Sequence, residues 1–455
     1  MILLPYIISG LAGYLLVVHF LKSEDSRLYR PLIFFLAIGA GLGISAFIGF
    51  LSLVYFNQFN RVFVLACHTA WLATLGFIHR DFVKEEILLL LKGFGKKKPD
   101  FSTLTLFSTL AILLWIKAGE FPFGGWDAWS CWNLKARFIF LGGQDWNNLL
   151  NPVLWRSSPH YPLLLPLINA WGWIFTNETS RMIPLLTSCV FSLITAGLLF
   201  YGLKTFSGKP AAVLGALLLF TVPFFLTLST DQYSDILIAY FLLAIFLCML
   251  IAKKTKQESW IFLAGIFLGF LSFTKPEGTV AAAILTAIIL FELILGKKEN
   301  EGSRGRKKTI LCFFAALFFA SLPSIIFQLI YAPANQTFIN GLATWDTHQS
   351  MIRLKLIFGF LYVELLSEKW NGLWLILLAG LILSGKSAFT NSLRAFPIFF
   401  TLYLGIIIFY YMTNVYFDLL WWLSITLNRI LSMFLPALVF WVFYSIWQPK
   451  KTQPS

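Results

Sequence analysis

The chain has 455 residues, of which 58% are hydrophobic and only 12% carry a charge. Soluble domains are about 45–50% apolar and about 25% charged, so this composition is not that of a soluble protein. The net charge of +14 does not indicate a nucleic-acid partner, because most basic residues lie in short loops between apolar segments, where they set membrane topology. Five scattered cysteines without a CxxC pair indicate neither a disulfide framework nor a zinc site.

Apolar segments long enough to cross a bilayer recur along the whole chain and predict an all-α polytopic membrane protein. We expect about 13 transmembrane helices, within a range of about 11–14. The first segment has neither a basic region nor a small-residue cleavage site, so we expect it to be retained. The predicted bounds are 2–21, 31–56, 61–78, 101–117, 182–203, 210–228, 236–252, 260–274, 278–295, 309–331, 371–385, 395–413 and 429–447.

The basic loops predict that the amino terminus lies outside and the carboxyl terminus inside. This topology requires the apolar segments 161–175 and 353–366 to begin and end on the same side of the membrane. Both are shorter than the ~20 residues that a crossing needs, so we expect surface-lying or re-entrant segments. The chain then divides into amino-terminal spans with a cytosolic loop (1–100), a core (101–330) that includes an external loop (118–181), and a carboxy-terminal part (331–455).

One external stretch, 121–162, is neither an apolar span nor a charged cytosolic loop. In it Trp126, Trp129 and Trp132 recur at i, i+3 and i+6, which predicts three indoles along one face of a helix. Tryptophan favours the water–lipid boundary, so this helix is expected to lie in the membrane surface. Asp127 lies among the indoles, where an acid can meet both a water-soluble substrate and a lipid. The alternative is an anchoring helix with a solvated Asp127.

Two cations, Lys135 and Arg137, follow this stripe after another turn. Further on, the TDQYSD motif precedes a span and is predicted to place Asp231 and Asp235 one helical turn apart. A helix start favours carboxylates, so simple capping accounts for one of them. Two acids beside a membrane favour a functional site.

The FTKPEG motif predicts a tight turn between two spans, with Lys275 and Glu277 at the depth of the lipid head groups. The two side chains either pair with each other or face a cavity, where Lys275 suits a phosphate. Arg429 is expected to open the last span. It either reaches the lipid head groups or binds a phosphate in bidentate fashion.

The motifs WDAWSCWNLKAR, SPHYPLLLP, TDQYSD and FTKPEG together resemble those of the polytopic GT-C glycosyltransferases. More narrowly, the chain looks like the bacterial family-39-like enzymes that are related to protein mannosyltransferases. The resemblance covers about residues 100–450, and it makes the segment 101–330 the catalytic core. It implies a GT-C-like fold with external membrane-surface helices, in a bacterial inner membrane with an extracytoplasmic active site.

By this resemblance Asp127 corresponds to the family's reactive aspartate, and Asp235, or else Asp231, corresponds to a second acidic group. His160 and Tyr161 match a segment in which an acid often takes the place of His160, so an acceptor-binding or metal-binding role for His160 stays open. The resemblance implies no certain cofactor, and dependence on a divalent metal ion also stays open.

The implied donor is a polyprenyl-phosphate sugar, and the implied acceptor is a hydroxyl of a glycan, lipid or protein. One carboxylate serves as general base, and Lys275 and Arg429 hold the departing phosphate. The transferred group is a hexose or a pentose, with inversion at the anomeric carbon. A secondary transporter or lipid flippase is the alternative, although no internal repeat supports it. An assembly subunit that has lost catalysis is a third interpretation.

Overall fold

A computed structural model of the chain describes residues 1–21, 29–84, 100–295, 303–334, 346–414 and 418–447. The apolar runs in these ranges form helices, because a bilayer offers no water and the backbone must bond to itself. No strand occurs among the described residues. The predicted all-α polytopic membrane fold is confirmed.

The chain divides into two compact units. The division into three functional parts that the sequence predicts is a separate matter and stays a prediction. The first unit consists of Met1–Ser157, Leu163–Leu198 and Ser229–Tyr233, and the second of Ser158–Pro162, Leu199–Leu228 and Ser234–Ser455. Helices of the first unit are α1 (Leu4–Phe20), α2 (Arg30–Phe56), α3 (Arg61–Ile78), α4 (Phe101–Glu120), α5 (Asn133–Leu141) and α6 (Leu164–Thr176). Residues of α7 (Met182–Ser207) belong to both units.

Ten further helices of the described ranges belong to the second unit. They are α8 (Lys209–Phe220), α9 (Pro223–Leu228), α10 (Asp235–Thr255), α11 (Ser259–Ser272), α12 (Pro276–Leu295), α13 (Ser303–Ile326), α14 (Thr347–Leu365), α15 (Leu373–Ser384), α16 (Ala395–Thr413) and α17 (Leu419–Ile446). Within the described ranges, nine helices are long and apolar enough to cross a membrane, and five shorter apolar helices accompany them. Each predicted span overlaps one of these helices.

Two predicted spans have the wrong bounds. The span predicted at 210–228 is broken, because α8 ends at Phe220 and α9 begins at Pro223. A proline has no amide hydrogen to continue the helix and disfavours the helical conformation in the residue before it. The last helix begins at Leu419 rather than 429, because Asp418 caps it by accepting a hydrogen bond from the Trp421 amide at 2.8 Å.

In the first unit, α1 and α2 pack so closely that glycine is required at the contact. A Cβ atom on Gly13 would lie 1.9 Å from the Ala37 carbonyl oxygen, and one on Gly41 would lie 1.6 Å from the Ser9 carbonyl oxygen. The Ser9 and Ser45 hydroxyl oxygens are 2.7 Å apart across the same interface. Small residues and a hydroxyl contact are typical of helix packing within membranes.

The short helix α6 is buried at every position from Leu164 to Trp173. Its Trp171 stacks on His68 of α3 with the ring centroids 3.9 Å apart. Thirteen residues of helix span only ~20 Å, less than the ~30 Å hydrocarbon core. That this segment begins and ends on one side of the membrane stays a prediction, as it does for α14.

The centre of the second unit is α10, which is buried at every position from Asp235 to Ala252. It packs against α11 and α17, and α11 packs against α13. The α11–α13 contact is also close, since a Cβ atom on Gly269 would lie 2.4 Å from the Ala320 Cβ atom. A helix so completely buried starts with a charged residue, Asp235. That carboxylate needs charged partners.

Candidate active site

The loop that carries Asp127 is held by the distant TDQY segment of the same unit. The Gly125 amide donates a hydrogen bond to the Asp231 carbonyl oxygen at 3.1 Å, and the Asp127 amide donates to the Tyr233 hydroxyl oxygen at 3.2 Å. Gly124 has a φ of +75°, and a Cβ atom on it would lie 2.6 Å from the Asp231 carbonyl oxygen. Backbone contacts that require glycine therefore bring two of the predicted motifs together, and they leave the Asp127 side chain half-buried.

The helix after Asp127 differs from the predicted one. Ala128–Trp132 is a π-helical turn, in which hydrogen bonds join residues five apart, so positions i, i+3 and i+6 no longer share a face. Trp126 and Trp129 are 57% and 51% exposed with ring centroids 4.3 Å apart, whereas Trp132 is completely buried. The predicted stripe of three indoles is wrong, and an exposed pair takes its place. Whether this pair lies in the membrane surface stays a prediction.

A chain of side-chain amides, buried at Asn169 and Gln232 and half-buried at Asn133, connects the same two segments. The Asn169 amide nitrogen donates to Asn133 Oδ1 at 3.1 Å, and Asn133 Nδ2 donates to Gln232 Oε1 at 2.8 Å. Gln232 Nε2 in turn donates to the Pro122 carbonyl oxygen at 3.4 Å. These three amides, which we call the amide relay, join α6, α5 and the TDQY segment to the start of the Asp127 loop.

The TDQYSD motif is not helical at its first acid. Gln232 has a φ of +62°, and this left-handed residue separates Asp231 from α10, which begins at Asp235. The prediction that the two acids lie one helical turn apart is therefore wrong. Asp231 belongs to the first unit, where its carbonyl oxygen holds the Asp127 loop, and Asp235 belongs to the second.

The two cations after the stripe have contrasting environments. Lys135 is completely buried, and its Nζ lies 6.0 Å from the centre of the Trp132 ring. Burial disfavours the charged form and lowers the pKa of Lys135 to about 8. Arg137 is exposed. The two predicted cations therefore have different locations, Lys135 in the core and Arg137 at the surface.

In the second unit, Asp235 is surrounded by cations. Its side chain is completely buried, with Oδ1 3.2 Å from Lys275 Nζ and Oδ2 2.6 Å from Arg429 Nη2. The Nε of Arg429 also donates to Oδ2 at 3.2 Å. A carboxylate that accepts from two cations is poorly suited to take a proton. We call Asp235, Lys275, Glu277 and Arg429 the Asp235 cluster.

Arg429 lies within α17 rather than at its start, because the helix begins at Leu419. Its side chain is only 14% exposed and contacts Asp235. The prediction of an arginine that opens the last span is therefore wrong, whereas the alternative that it lies at the depth of the head groups stays a prediction. An arginine inside a membrane helix is costly without a partner, and Asp235 is that partner.

The TKPEG turn adds a second acid to the cluster. Lys275 Nζ lies 3.1 Å from Glu277 Oε1, so of the two alternatives for these side chains the structure shows the pairing, and a phosphate-binding role for Lys275 stays a prediction. The turn is tight at Gly278. A Cβ atom on this residue would lie only 2.2 Å from Thr274 Oγ1, so a glycine is required here. The Tyr403 hydroxyl donates to the Glu277 carbonyl oxygen at 3.2 Å and holds the backbone.

His160 and Tyr161 belong to the same unit as the cluster. The Tyr161 ring centre lies 6.0 Å from Lys275 Nζ, close enough for a cation–π contact. The His160 ring packs edge-on against Tyr161, and the His160 carbonyl oxygen accepts from Gln328 Nε2 at 3.1 Å. Tyr161 therefore contacts the Asp235 cluster through Lys275, and His160 contacts Tyr161.

A divalent metal ion would need several carboxylate or imidazole ligands around one point. Among the described residues, no group of three or more His, Cys, Asp or Glu side chains is placed to hold a metal ion. Asp235, one of the predicted second acids, has both oxygens on cations instead. The residues described do not fit a metal centre, and the metal requirement stays open.

The sequence interpretation missed several residues that shape the two regions. They are Asn133, Asn169, Gln232, Tyr233 and Tyr403. Gln232 and Tyr233 stand inside the TDQYSD motif and Asn133 inside NLKAR, so their positions in the motifs were a usable signal. Nothing local distinguishes Asn169 or Tyr403 from other polar residues in apolar helices.

The family model described as dolichyl-phosphate-mannose-protein mannosyltransferase matches residues 160–327. This match is consistent with the resemblance to GT-C and family-39 enzymes. It indicates a membrane glycosyltransferase that uses a polyprenyl-phosphate sugar donor, and with the apolar helices it supports an integral membrane protein. No curated protein and no solved structure matches the chain.

Proposed function

We propose that this chain, with its match to the dolichyl-phosphate-mannose-protein mannosyltransferase family, transfers a hexose or pentose from a polyprenyl-phosphate donor to an acceptor hydroxyl. The acceptor belongs to a glycan, lipid or protein, and the reaction takes place on the extracytoplasmic face of a bacterial inner membrane. The acceptor oxygen attacks the anomeric carbon, the bond from that carbon to the phosphate oxygen breaks, and the configuration inverts. The lipid phosphate leaves with the bonding electron pair.

The observation that carries the proposal is the Asp235 cluster. A wholly buried carboxylate holds Lys275 and Arg429 together, with side-chain exposures of only 6% and 14%. Cations fixed in advance in a poorly hydrated place stabilise a departing phosphate without reorganising as the charge develops. In this role Asp235 positions the two cations. For the base we propose Asp127, a half-buried residue of the first unit. Its loop is held by the Gly125 amide, which donates to the Asp231 carbonyl oxygen, and by the Asp127 amide, which donates to the Tyr233 hydroxyl oxygen.

The test compares two cation pairs in the same unit. Lys275→Ala and Arg429→Ala should each raise the apparent KM for the donor about ten- to hundredfold, because one charged phosphate contact is worth about 1.5–3 kcal/mol. The control pair is Lys253→Ala and Arg394→Ala, since this lysine and this arginine likewise share one carboxylate, that of Glu292, at 2.6 and 3.3 Å. An unchanged donor KM in both test variants would remove the proposed phosphate site.

The side of the membrane has a separate test. In a variant without native cysteines, Asp145→Cys should react with an impermeant thiol reagent in intact cells, and Lys256→Cys should react only after permeabilisation. Both positions are exposed, so the reagent can reach either if it is on that side. The reverse pattern would contradict an extracytoplasmic site.

One observation favours a second function, a lipid flippase or transporter. Ionisable groups buried among membrane helices, such as Asp235 and Arg429, commonly mark a transport pathway. Reconstituted vesicles separate the two functions. A flippase moves the polyprenyl-phosphate sugar across the bilayer without an acceptor, whereas a transferase releases the lipid phosphate only when an acceptor is present.

A further inference from the structure

The Asp235 cluster is electrically balanced before any substrate arrives. Lys275 and Arg429 contribute two positive charges, and Asp235 and Glu277 contribute two negative charges. A polyprenyl-phosphate sugar is a phosphodiester and adds a further negative charge. Because the cluster is poorly hydrated, an uncompensated anion there is costly. The proposed function requires the donor phosphate to bind these cations. If it does so, one of the two carboxylates must move out of contact with its cation.

Asp235 is not the carboxylate that leaves its cations. Its side chain is completely buried, and three nitrogen–oxygen contacts of 3.2, 2.6 and 3.2 Å hold its two oxygens. Removing it from those contacts would leave a buried charge without compensation, which is strongly unfavourable. Asp235 is therefore a permanent part of the cluster.

Glu277 is held much more weakly. Its side chain is 21% exposed, and its Oε1 contacts Lys275 Nζ at 3.1 Å. Its Oε2 is a buried oxygen without a hydrogen-bond partner in the part of the chain that the structure describes. The Tyr403 hydroxyl holds the backbone carbonyl group of Glu277, so a rotation of the side chain is enough to release Lys275.

The position of Glu277 also suits an exchange of one anion for another. It lies in the first turn of α12, a helix of 20 residues that begins at Pro276. The amide groups and the dipole at a helix start favour any nearby anion, whether carboxylate or phosphate. The site that accommodates the Glu277 carboxylate beside Lys275 therefore has the chemistry that a phosphate needs.

We propose that Glu277 is an internal anion that occupies Lys275 until the donor phosphate displaces it. The exchange sets the affinity for the donor, because each binding event must break the Lys275–Glu277 contact and accommodate the displaced charge nearby. Glu277 is thus an affinity-determining residue of the proposed donor site. It differs from Asp235, which keeps both cations in place whether or not a donor is bound.

The test measures binding of dolichyl phosphate to the purified full chain in detergent, without any need for turnover. Glu277→Gln keeps the size of the side chain and removes its charge, so the Kd should fall about three- to tenfold. Glu292→Gln is the matched control, since it removes a partly buried, cation-paired carboxylate from the other end of the same helix. Its Kd for dolichyl phosphate should stay at the wild-type value.

Two further measurements keep the outcomes separate. Glu277→Asp retains the charge and should bind within about twofold of wild type, so equal tightening in the Asp and Gln variants would overturn the charge explanation. Unchanged or weaker binding by a folded Glu277→Gln variant would overturn the proposal itself. If Lys275→Ala leaves dolichyl phosphate binding unchanged, the proposed function has failed instead. Inorganic phosphate, used in parallel, shows whether the polyprenyl chain is needed for the effect.

Discussion

The Asp127 loop and the Asp235 cluster hold their carboxylates in opposite ways. Asp127 is half-buried and lies on a loop that glycine-dependent backbone contacts position. Asp235 is completely buried and bound through both side-chain oxygens to cations. The first arrangement fixes the main chain and leaves the residue half-buried, while the second buries the carboxylate completely between two cations. Burial and charge pairing therefore separate a candidate base from a positioning residue, although both are aspartates at the edge of an apolar segment.

The largest expected effect comes from removing the candidate base. Asp127→Asn keeps the shape of the side chain but cannot accept the acceptor's proton, so turnover should fall roughly 10²–10⁴-fold. The midpoint of thermal unfolding in detergent and the Kd for dolichyl phosphate should stay close to wild type. If Asp127→Asn turns over at a near-normal rate, Asp127 is not the base, and this distinction from Asp235 is lost. The same conclusion follows if the variant loses activity only because it unfolds.

Removing the buried aspartate should have the opposite signature. Asp235→Asn leaves Lys275 and Arg429 buried without their shared carboxylate, which should cost about 3–5 kcal/mol of stability. The measurement is thermal unfolding of the detergent-solubilised chain, compared with Asp127→Asn under the same conditions. If both variants unfold at the wild-type temperature, the carboxylate does not hold the cluster together.

The amide relay offers a way to disturb the Asp127 loop without touching its acid. Asn133→Leu removes an acceptor for Asn169 and a donor for Gln232, and should cost about 1–3 kcal/mol because both amides lose a buried partner. If the relay positions the loop, kcat should fall while the Kd for dolichyl phosphate is unchanged, and Asn133→Gln should recover part of the loss. A change in stability alone would leave the relay as a structural element.

The smallest expected effect is a pH dependence that belongs to the first unit. Lys135 has a pKa of about 8, below its value in the unfolded chain, so between these two values the unfolded state binds more protons. Stability should therefore rise with pH above about 8, by about 1 kcal/mol between pH 7.5 and 9. Lys135→Met should lack this rise, and an identical pH profile in wild type and variant would assign it to other groups.

Regular elements were predictable because their cause is local. The segments 61–78 and 395–413 end where their apolar runs end, and the structure has helices with the same bounds. The π-helical turn at Ala128–Trp132 and the left-handed Gln232 have no such cause. They arise where the Asp127 loop meets a segment 106 residues further on, at the contact between Asp127 and Tyr233.

The site was predictable only in part, for a related reason. The residue types in TDQYSD and TKPEG indicated an acid and a cation at membrane depth. That Arg429 is their third member depends on α17 beginning at Leu419, so that the arginine lies well inside the helix. The burial of Lys135 was equally hidden, because its sequence neighbours are those of a surface cation.

The place of Arg429 within α17 has a consequence for the order in which the protein is made. An arginine within a membrane helix is costly to insert without a partner, and the carboxylate partner of Arg429, Asp235, is synthesised 194 residues earlier. Until α17 is synthesised, Asp235 lacks Arg429, one of the two cations that it contacts in the folded chain. The helix α17 therefore completes the charge pairing at the start of α10, and a chain interrupted before Arg429 is left with an incompletely paired buried acid.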